Sequence, residues 1–246
     1  MTVHYENIGR AAVVTISRPE RRNAIDAATA SELADAWKRF DSDDQAAVGV
    51  LTGAGGNFCS GADLRDFDLE DGPGGYLGMS RYHVAKPTIA AVAGFCVAGG
   101  LELALWCDLR VAGEDAVFGC FERRFGVPLV DGGTQRLPRL VGLSRAFDMI
   151  LTGRPVSGAE AHRIGLADRL VPPDEELAAA LDLAETIAAH PQPTVLSDRA
   201  AVYDGLGVDP RSGLDAERRR GLVALGVAVE GASRFAAGEG RGGAGT

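Results

Sequence analysis

The chain is poor in cysteine and histidine, and neither residue type has the spacing of a disulfide frame or a metal site. No Cys-x-x-Cys pair occurs, and the cysteines lie in apolar or glycine-rich surroundings, which favours reduced thiols in a cytosolic protein. The histidines form no cluster with ligand spacing, so we predict surface or helix-end histidines and no bound metal. The residues concerned are Cys59, Cys96, Cys107 and Cys120, and His4, His83, His162 and His190.

Positive charge is also scarce. Lysine occurs only at Lys38 and Lys86, and 25 basic residues stand against 34 acidic ones, which gives a formal net charge of −9 and an isoelectric point near 5.0. A surface that binds nucleic acid or an anionic membrane needs a clustered positive field, so neither partner is expected. An anionic ligand would have to be held by a few local groups.

Long hydrophobic runs are missing as well. No uninterrupted apolar stretch reaches the length that spans a bilayer, and the first six residues contain neither the basic region nor the apolar core of a signal peptide. These absences favour a cytoplasmic protein. The 246 residues, of which 46% are hydrophobic, are enough for one large α/β domain or for a core with a small appendage.

Strand-like segments dominate the first half of the chain. Four short apolar runs, at residues 11–17, 47–52, 88–92 and 109–112, predict buried strands. Glycine follows a strand-like run at Gly53, Gly94 and Gly113, and this recurrence predicts stacked, structurally similar turns. After the first run, apolar residues at spacings of three and four predict a helix that has Asp26 as its N-cap; they are Leu33, Ala36, Trp37 and Phe40.

Helix-like patterns dominate from residue 134 onward. Candidate helices cover residues 134–140, 144–151, 157–163, 173–189 and 194–205, and a short strand is predicted near 168–171. The segment after Gly231 is polar and glycine-rich, so we expect it to fray. We therefore divide the chain into a core at 1–190 and a helical C-terminal region at 191–246 that ends in a flexible, glycine-rich tail.

Two glutamates each follow a glycine-containing turn. Glu102 follows Gly99 and Gly100 in an otherwise apolar helical segment, and Glu122 follows Gly119. An unpaired carboxylate among apolar residues is costly and usually has a task. Two such carboxylates can divide proton donation from proton abstraction, and bare N–H groups at a helix start can stabilise an oxyanion. The alternative is that Glu102 only complements the dipole of a closely packed helix.

Another small-residue turn lies at residues 58–64. Gly61 stands between small residues before a predicted helix, so the backbone at Ala62 could come close to a ligand. Alone this signal is weak. The alternative is a tight turn in which Asp63 caps the helix.

Five segments, taken in order, resemble the enoyl-CoA hydratase/isomerase, or crotonase, superfamily. The similarity runs from about Arg18 to Asp168 and more loosely to Phe235. One such segment would mean little, whereas the ordered set is highly specific. The segments are residues 18–25 (RPERRNAI), 58–63 (FCSGAD), 86–94 (KPTIAAVAG), 99–102 (GGLE) and 132–137 (GGTQRL).

The resemblance implies an α/β fold in which ββα turns form a spiral, with a helical C-terminal region that trimerises the chain into a homotrimer or a homohexamer of paired trimers. It implies that the N–H groups of Ala62 and Gly99 form an oxyanion hole for a thioester oxygen. By the same resemblance Glu102 orients and activates water, and Glu122 exchanges the proton at the α-carbon. The implied activity is that of an enoyl-CoA hydratase, a lyase of fatty acid β-oxidation that turns a 2-trans-enoyl-CoA into the 3-hydroxyacyl-CoA without a metal or redox cofactor.

Coenzyme A is part of the implied substrate, and the chain has no Gly-x-x-x-x-Gly-Lys loop that could hold its phosphates. Arg21 and Arg22 match the nucleotide-contacting segment of the family, although solvated surface arginines in a turn are the alternative interpretation. The residues that the resemblance assigns to coenzyme A binding are Arg21, Arg22, Ala24, Ser60, Gly61, Ala62, Asp63, Leu64 and Gly99.

The chain departs from the hydratase pattern at Asp131, where that pattern does not call for an acid. Dienoyl-CoA isomerases use an aspartate in the neighbouring position, so Asp131 is an additional acid candidate and isomerisation of an enoyl- or dienoyl-CoA is the nearest alternative reaction. Asp131 could instead cap the helix that starts near Thr134, and we favour that interpretation. A further alternative is a non-catalytic homologue that binds acyl-CoA or protein, but such a protein would need neither acid nor base.

The second departure lies at the C-terminal end. Residues 230–235 resemble the last helix of the family, but glycine replaces the basic stretch that should follow it. Nucleotide contacts from this end of the chain are therefore not expected.

Overall fold

The computed structural model describes residues 1–239; residues 240–246, which belong to the predicted glycine-rich tail, lie outside the described part. Its strands are β1 (Val3–Ile8), β2 (Ala11–Ile16), β3 (Val48–Gly53), β4 (Thr88–Val92), β5 (Phe95–Val97), β6 (Leu109–Gly113), β7 (Val117–Gly119), β8 (Val156–Ser157) and β9 (Arg169–Val171). Its helices are α1 (Ala27–Ser42), α2 (Gly99–Trp106), α3 (Gly133–Val141), α4 (Leu143–Thr152), α5 (Gly158–Ile164), α6 (Glu176–Ala188), α7 (Gln192–Gly205), α8 (Pro210–Ala224) and α9 (Gly226–Ala236), with short 3-10 helices at Pro19–Arg21 and Phe121–Phe125.

The main sheet has six strands in the order β1-β2-β3-β4-β6-β9. The four predicted strand runs are β2, β3, β4 and β6, and they pair with one another in parallel. Parallel strands are covered on both faces, which is why each of these runs is almost continuously apolar. β1 adds an antiparallel edge, and β9 confirms the short strand predicted near residue 168.

Alternate residues of the sheet point into two different cores. Val13 and Val50 face α6, where alanines allow the helix to lie close to the sheet. Val14 and Leu51 face the opposite side and pack in one cluster with Trp37 of α1 and with α2. Complete burial of one such aliphatic side chain contributes about 1.5–3 kcal/mol, so both faces contribute to folding.

A second, smaller sheet stacks the turns that follow the main strands. β5 pairs in parallel with β7, and β7 pairs antiparallel with β8. Cys59, which follows β3, forms a parallel bridge with Cys96 of β5. The segments after β3, β4 and β6 therefore lie side by side, which confirms the prediction of stacked, similar turns.

Helix α1 begins as predicted. The side chain of Asp26 accepts a hydrogen bond from the backbone N–H of Thr29 at 2.8 Å, as an N-cap does. The helix predicted after Ala62 is wrong, because residues 63–87 contain neither helix nor strand. Asp63 is accordingly no helix cap; its carboxylate forms an ion pair with Arg18 at 3.1 Å and accepts the backbone N–H of Arg65.

Three helices follow the core. Helix α7 packs on α8 and is tied to the core by Asp108, which accepts hydrogen bonds from Arg199 at 2.8 Å and Tyr203 at 2.6 Å. Helix α9 continues to Ala236 and contains residues 230–235, as their resemblance to the last helix of the family implies, whereas the predicted fraying directly after Gly231 is wrong for residues 232–236. The division at residue 190 stays a prediction. Among residues 1–239, none of the helices combines the length and the apolar character that a bilayer crossing requires.

Candidate active site

A cavity of about 450 Å³ lies where the small-residue turns, α2 and the segments on either side of α3 meet. Its wall is mostly apolar. Three carboxylates interrupt it, those of Glu102, Glu122 and Asp131, and each of these residues is at most 6% exposed. The other lining residues are Ser60, Ala62, Leu64, Phe67, Leu69, Tyr76, Leu77, Val97, Ala98, Gly99, Phe121, Phe125, Val127, Pro128 and Val130.

Two backbone segments approach each other closely at one end of this cavity. A Cβ atom added to Gly61 would lie 2.7 Å from the backbone nitrogen of Gly99, and one added to Gly99 would lie 3.3 Å from the Cα atom of Gly61. Gly61 also has a φ of +88°, which a residue with a side chain rarely adopts. Gly61 must be glycine for this approach, whereas a side chain at Gly99 would require the Leu77 side chain and the neighbouring backbone to shift.

The approach leaves two N–H groups available. The hydrogen bonds of Ile25 to Gly61 and of Asp63 to Ile25 fix the segment around Ala62 on both sides. No acceptor for the N–H of Ala62 or of Gly99 is found within residues 1–239, and both residues line the cavity. Gly99 is the first residue of α2, so its N–H has no intrahelical partner. Two N–H groups without an acceptor in one cavity wall are the kind of donor that can bind a negatively charged oxygen.

Ala98 holds the start of α2 in an uncommon conformation. Its φ of +54° and ψ of −128° are rare for a residue with a side chain. The N–H of Ala98 donates to the carbonyl of Gly119 at 2.8 Å, and its carbonyl accepts the N–H groups of Leu101 and Glu102. These bonds hold the turn that leads into Gly99, which lines the cavity, and strained residues often occur at functional sites.

The carboxylate of Glu102 is held at one oxygen. Its Oε1 accepts the backbone N–H groups of Gly133 at 2.7 Å and Asp131 at 2.9 Å, whereas its Oε2 accepts no hydrogen bond within residues 1–239. Burial raises the pKa of Glu102 to about 7, which outweighs the lowering by these N–H groups; the nearby charges of Asp131 and Glu122 raise it further. A carboxyl group with this pKa exchanges protons readily near neutral pH.

Glu122 lies in the 3-10 helix Phe121–Phe125 and has no such support. Both of its carboxylate oxygens are buried and have no hydrogen-bond partner within residues 1–239. Burial raises the pKa of this group as well, while the charge of Arg123 lowers it. An unpartnered buried carboxylate is costly in a folded protein. This cost indicates that the carboxylate of Glu122 obtains its partner from a bound ligand.

Asp131 does not cap the following helix, so the capping prediction is wrong. The N-cap of α3 is Gly132, which has a φ of +105° and no side chain. The Oδ1 atom of Asp131 instead accepts a short hydrogen bond from the hydroxyl of Ser80 and a longer one, 3.4 Å, from the backbone N–H of Leu77. Burial raises the pKa of Asp131, and these hydrogen bonds oppose the rise.

The residues predicted to bind coenzyme A fall into two groups. Ser60, Ala62, Leu64 and Gly99 line the cavity, whereas Arg21, Arg22, Ala24, Gly61 and Asp63 lie behind or beside its wall. The hydroxyl of Ser60 donates to the carbonyl of Arg21 at 3.2 Å, so the arginine segment borders the cavity. The guanidinium of Arg22 lies over the ring of Phe95 at 4.6 Å, and Nη1 of Arg21 is buried without a partner in the described part of the chain.

Several residues of the site were not found from the sequence. Tyr76, Leu77 and Ser80 come from the irregular segment 63–87, and Gly133 supplies a donor to Glu102. Phe67, Phe121 and Phe125 add aromatic rings to the wall. Gly133 belongs to the family-like segment 132–137 and Phe121 is next to Glu122, but no local pattern marks Leu77 and Ser80, because they join the site through Asp131, 54 and 51 residues away.

The cysteines and histidines take no part in the site. All four cysteines are buried and free, in agreement with the prediction of reduced thiols, and burial raises the pKa of Cys59 to about 12. Such thiols are poor nucleophiles. Within residues 1–239 no group of three or more His, Cys, Asp or Glu side chains is arranged to hold a metal ion.

Comparison with known proteins identifies the family. Residues 6–203 match the sequence model described as enoyl-CoA hydratase/isomerase. A protein of Rhizobium meliloti named "Probable enoyl-CoA hydratase" is 41% identical over 244 residues, which cover 96% of this chain and 95% of the relative. The short-chain-enoyl-CoA hydratase of Clostridium acetobutylicum is 36% identical and covers 83% of this chain and 82% of its own length.

Solved structures agree with the sequence matches. The crystal structure of the enoyl-CoA hydratase EchA1 from Mycobacterium marinum superposes with a TM-score of 0.91 at 37% identity, over 96% of this chain and 95% of that one. This likeness confirms the predicted crotonase-like α/β fold. A family match over more than half of the chain, relatives above 30% identity and the same fold together place this chain in the enoyl-CoA hydratase/isomerase family.

Proposed function

We propose that the protein is an enoyl-CoA hydratase that adds water across the double bond of a 2-trans-enoyl-CoA to give the 3-hydroxyacyl-CoA. The observation that carries the proposal is the meeting of two free N–H groups and two buried glutamates in one cavity. The hydratase names of the relatives described above support the same reaction.

The oxyanion hole acts on the thioester. Attack of water at C3 moves electron density through C2 to the thioester oxygen, which becomes negatively charged as the enolate forms. The N–H groups of Ala62 and Gly99 donate to that oxygen, and removing one such donor typically costs about 3–4 kcal/mol of transition-state stabilisation. The α2 dipole favours the same negative charge.

Glu102 acts on the water. Its Oε1 is fixed by two backbone N–H groups, so Oε2 is the oxygen that can accept a proton from water while the water oxygen bonds to C3. Glu122, in its neutral form, then gives a proton to C2 of the enolate. One hydroxyl is added at C3 and one proton at C2, and the proton held by Glu102 restores Glu122 through solvent. This balance calls for no redox step and no metal.

The test is hydration of crotonyl-CoA, followed as the loss of the absorbance of the conjugated thioester. We expect turnover by the wild-type chain and none above background by a variant that carries both Glu102→Gln and Glu122→Gln. The amide variants keep the size of the side chains and remove the titratable protons. A wild-type protein that binds acyl-CoA but leaves this absorbance unchanged would favour the non-catalytic alternative.

Isomerisation of a dienoyl-CoA is the second candidate, and one observation favours it. Asp131 lines the same cavity as the two glutamates and is a third group that could carry a proton. Wild-type isomerisation of a 3,5-dienoyl-CoA that outpaces hydration, with selective loss of isomerisation in Asp131→Asn, would favour the isomerase.

Binding of the coenzyme A part is proposed at the rim next to Ser60. The unpartnered Nη1 of Arg21 supports a role in holding an anionic group, because a buried guanidinium nitrogen needs an acceptor. Arg21→Ala should raise KM for crotonyl-CoA and leave the KM for a truncated pantetheine thioester unchanged. An equal rise for both substrates would contradict the contact.

We also propose that the enzyme is a cytoplasmic homotrimer or dimer of trimers. Helices α7 to α9 carry exposed apolar side chains, which supports a covered face; they are Val202, Leu214, Leu222, Val223, Leu225, Val229 and Phe235. Light scattering should give three or six times the 25.6 kDa of one chain, and a mass of 25.6 kDa would contradict the assembly.

A further inference from the structure

Asp131 is the buried carboxylate that the proposed hydration does not use. It is 3% exposed and lines the cavity together with Glu102 and Glu122. No lysine, arginine or histidine is among the lining residues, and the positive charges that act on Asp131, those of Arg81 and Arg136, lie outside the lining. A buried polar group without a full set of partners needs an explanation in a folded protein.

The side chain of Asp131 is held in one orientation. Its Oδ1 accepts the hydroxyl of Ser80 and the N–H of Leu77, and the Ser80 carbonyl accepts Nη2 of Arg136 at 2.7 Å. A side chain at Gly75 would overlap this same Oδ1, so the glycine turn folds closely around the carboxylate. Supporting contacts of this kind preorganise a group that binds a ligand.

The second carboxylate oxygen of Asp131, Oδ2, is available to a ligand in the cavity. The hydrogen bonds from Ser80 and Leu77 both fall on Oδ1, and none of comparable geometry is found on Oδ2 within residues 1–239, although the backbone N–H of Tyr76 lies close enough to lower the pKa of the carboxyl. A carboxylate that only tied segment 63–87 to α3 would not need to line the cavity. The unused oxygen therefore indicates a hydrogen-bond donor on the bound molecule.

The position of Asp131 along the wall indicates where this donor lies. Its backbone N–H bonds to Oε1 of Glu102, so Asp131 is the next acidic group beyond the one that activates water for C3. Leu77, whose Cδ1 would lie 2.7 Å from a Cβ atom at Gly99, separates it from the thioester end. The acyl carbons beyond C3 are thus the ones that reach Asp131.

Resting on the proposed hydratase function, we propose that the cavity selects 2-enoyl thioesters that carry a hydroxyl group one or two carbons beyond C3, with this hydroxyl donating to Oδ2 of Asp131. A hydroxyl both donates and accepts, so it pairs with the carboxyl in either protonation state. The surrounding leucine, valine and phenylalanine side chains suit the remaining hydrocarbon.

The test compares two acyl groups of equal size, 4-hydroxybut-2-enoyl-CoA and pent-2-enoyl-CoA, in which a hydroxyl replaces a methyl group. For the wild-type protein we expect kcat/KM to be about tenfold or more higher for 4-hydroxybut-2-enoyl-CoA than for pent-2-enoyl-CoA, which is the effect expected of a hydrogen bond to a charged group. Asp131→Asn keeps the acceptor for Ser80 and Leu77 but loses the charge, so the preference should fall several-fold. Asp131→Ala should abolish it.

Ser80→Ala is the matched control, because it removes a supporting contact and leaves the carboxylate in place; it should retain a preference for the hydroxylated substrate. If Asp131 were only a structural tie, Asp131→Ala and Asp131→Asn would change both substrates by the same factor, which would overturn the proposal. A wild-type preference for pent-2-enoyl-CoA, or for a 4-trimethylammonio analogue over both, would overturn it too. Hydration of pent-2-enoyl-CoA without a hydroxyl preference refutes this inference alone, whereas hydration of neither substrate refutes the proposed function.

Discussion

Glu102 and Glu122 carry the same side chain and follow similar glycine turns, yet their surroundings differ. Glu102 lies in the first turn of a regular helix, and the start of α3 donates two backbone N–H groups to one of its oxygens. Glu122 lies in a 3-10 helix, and neither of its buried oxygens has a partner within residues 1–239. A carboxylate held at one oxygen suits a base that positions water, and an unheld one suits a proton carrier that meets only the substrate.

The largest expected effect distinguishes the two glutamates, because in the proposed reaction Glu102 acts on water and Glu122 acts on the α-carbon. Glu102→Gln and Glu122→Gln should each lower hydration of crotonyl-CoA about 100-fold or more, because each removes a titratable proton. Exchange of the α-proton of a bound saturated acyl-CoA with solvent deuterium should disappear in Glu122→Gln and persist in part in Glu102→Gln. Equal loss of exchange in both would mean that the two groups act as one coupled unit.

The next effect is on stability. The folded-state pKa of Glu102 is about 7 against an ordinary value of 4.5, so the folded protein binds this proton more tightly than the unfolded chain does. The stability that this proton contributes is fully present below pH 4.5 and is lost as the pH rises through 7, by about 3 kcal/mol at most.

Glu102→Gln keeps an acceptor for both backbone N–H groups and carries no charge. It should therefore unfold at a higher urea concentration than the wild type at pH 8, with the difference shrinking towards pH 5. Urea midpoints at both pH values provide the measurement. A Glu102→Gln variant that unfolds at a lower urea concentration than the wild type at pH 8 would show that the charged carboxylate of Glu102 has more stabilising contacts than the structure indicates.

The pH dependence of hydration sharpens the assignment of the base. Because Glu102 must be ionised to accept a proton from water, kcat/KM should fall about tenfold per pH unit below a pKa near 7. The charges that face this group come from Asp131, Glu122 and Arg136. Asp131→Asn removes a negative charge that raises this pKa, so its acid limb should move to lower pH; an unmoved limb would contradict the coupling.

A smaller effect tests the hold on Oε1. A Cβ atom at Gly133 would lie 3.0 Å from Oε1 of Glu102 and 3.1 Å from Cδ2 of Leu129, so Gly133→Ala should displace the carboxylate. We expect kcat to fall about 3- to 10-fold, since small misplacements of a catalytic group are costly. Gly221→Ala is the control, because nothing lies within 4 Å of that position. Unchanged turnover in Gly133→Ala would show that the hold is not needed.

The smallest effect concerns Asp131 acting on a substrate without a hydroxyl. Asp131→Asn should keep crotonyl-CoA hydration near pH 8 within about threefold of wild type, because its amide oxygen still accepts from Ser80 and Leu77 and no proton of Asp131 enters the proposed reaction. Steady-state rates on both proteins provide the measurement. A loss approaching 100-fold would make Asp131 a third acid–base group and favour the isomerase.

The sequence predicts the fold best where burial is uniform. Strands β2, β3, β4 and β6 are covered on both faces, so their apolar runs are nearly continuous, and α1 has both a one-sided apolar pattern and a capping aspartate. β1 escapes detection because it is an edge strand whose sequence contains His4, Glu6 and Asn7. β5, β7 and β8 have only two or three residues, too few for a period to be read.

The C-terminal helices show a different limit. Helix α8 has the sequence PRSGLDAERRRGLVA, with glycines inside it and only Ala216 and Ala224 buried. The large apolar residues of α8 are exposed on the single chain; they are Leu214, Leu222 and Val223. They do not form the buried apolar stripe by which an amphipathic helix is recognised in a sequence. Local sequence was therefore insufficient for α8, and α9 was expected only from the resemblance of residues 230–235 to the last helix of the family.

The motifs predicted which residues meet in the cavity, but they did not predict the contacts between residues that are distant in sequence. Ala62, Gly99, Glu102 and Glu122 were expected together, and all four line one cavity. Asp131 was interpreted as a local helix cap, and a cap was the alternative considered for Asp63, whereas Asp63 pairs with Arg18, 45 residues away, and Asp131 with Ser80, 51 residues away. Aspartate before a helical pattern favours a cap by propensity, but tertiary partners decide its role.

The segments around Gly61 and Gly100 pack tightly on neighbouring backbone, whereas two phenylalanines of the cavity wall are exposed. A side chain at Gly100 would overlap the carbonyl of Cys59, so this position does not tolerate a larger residue. Phe67 and Phe125 are 58% and 69% exposed and can be exchanged at little cost to folding. A library for new acyl specificities should therefore vary these two positions and leave the glycine segments unchanged, so that the shape of the cavity changes while the backbone around Ala62 and Gly99 keeps its position.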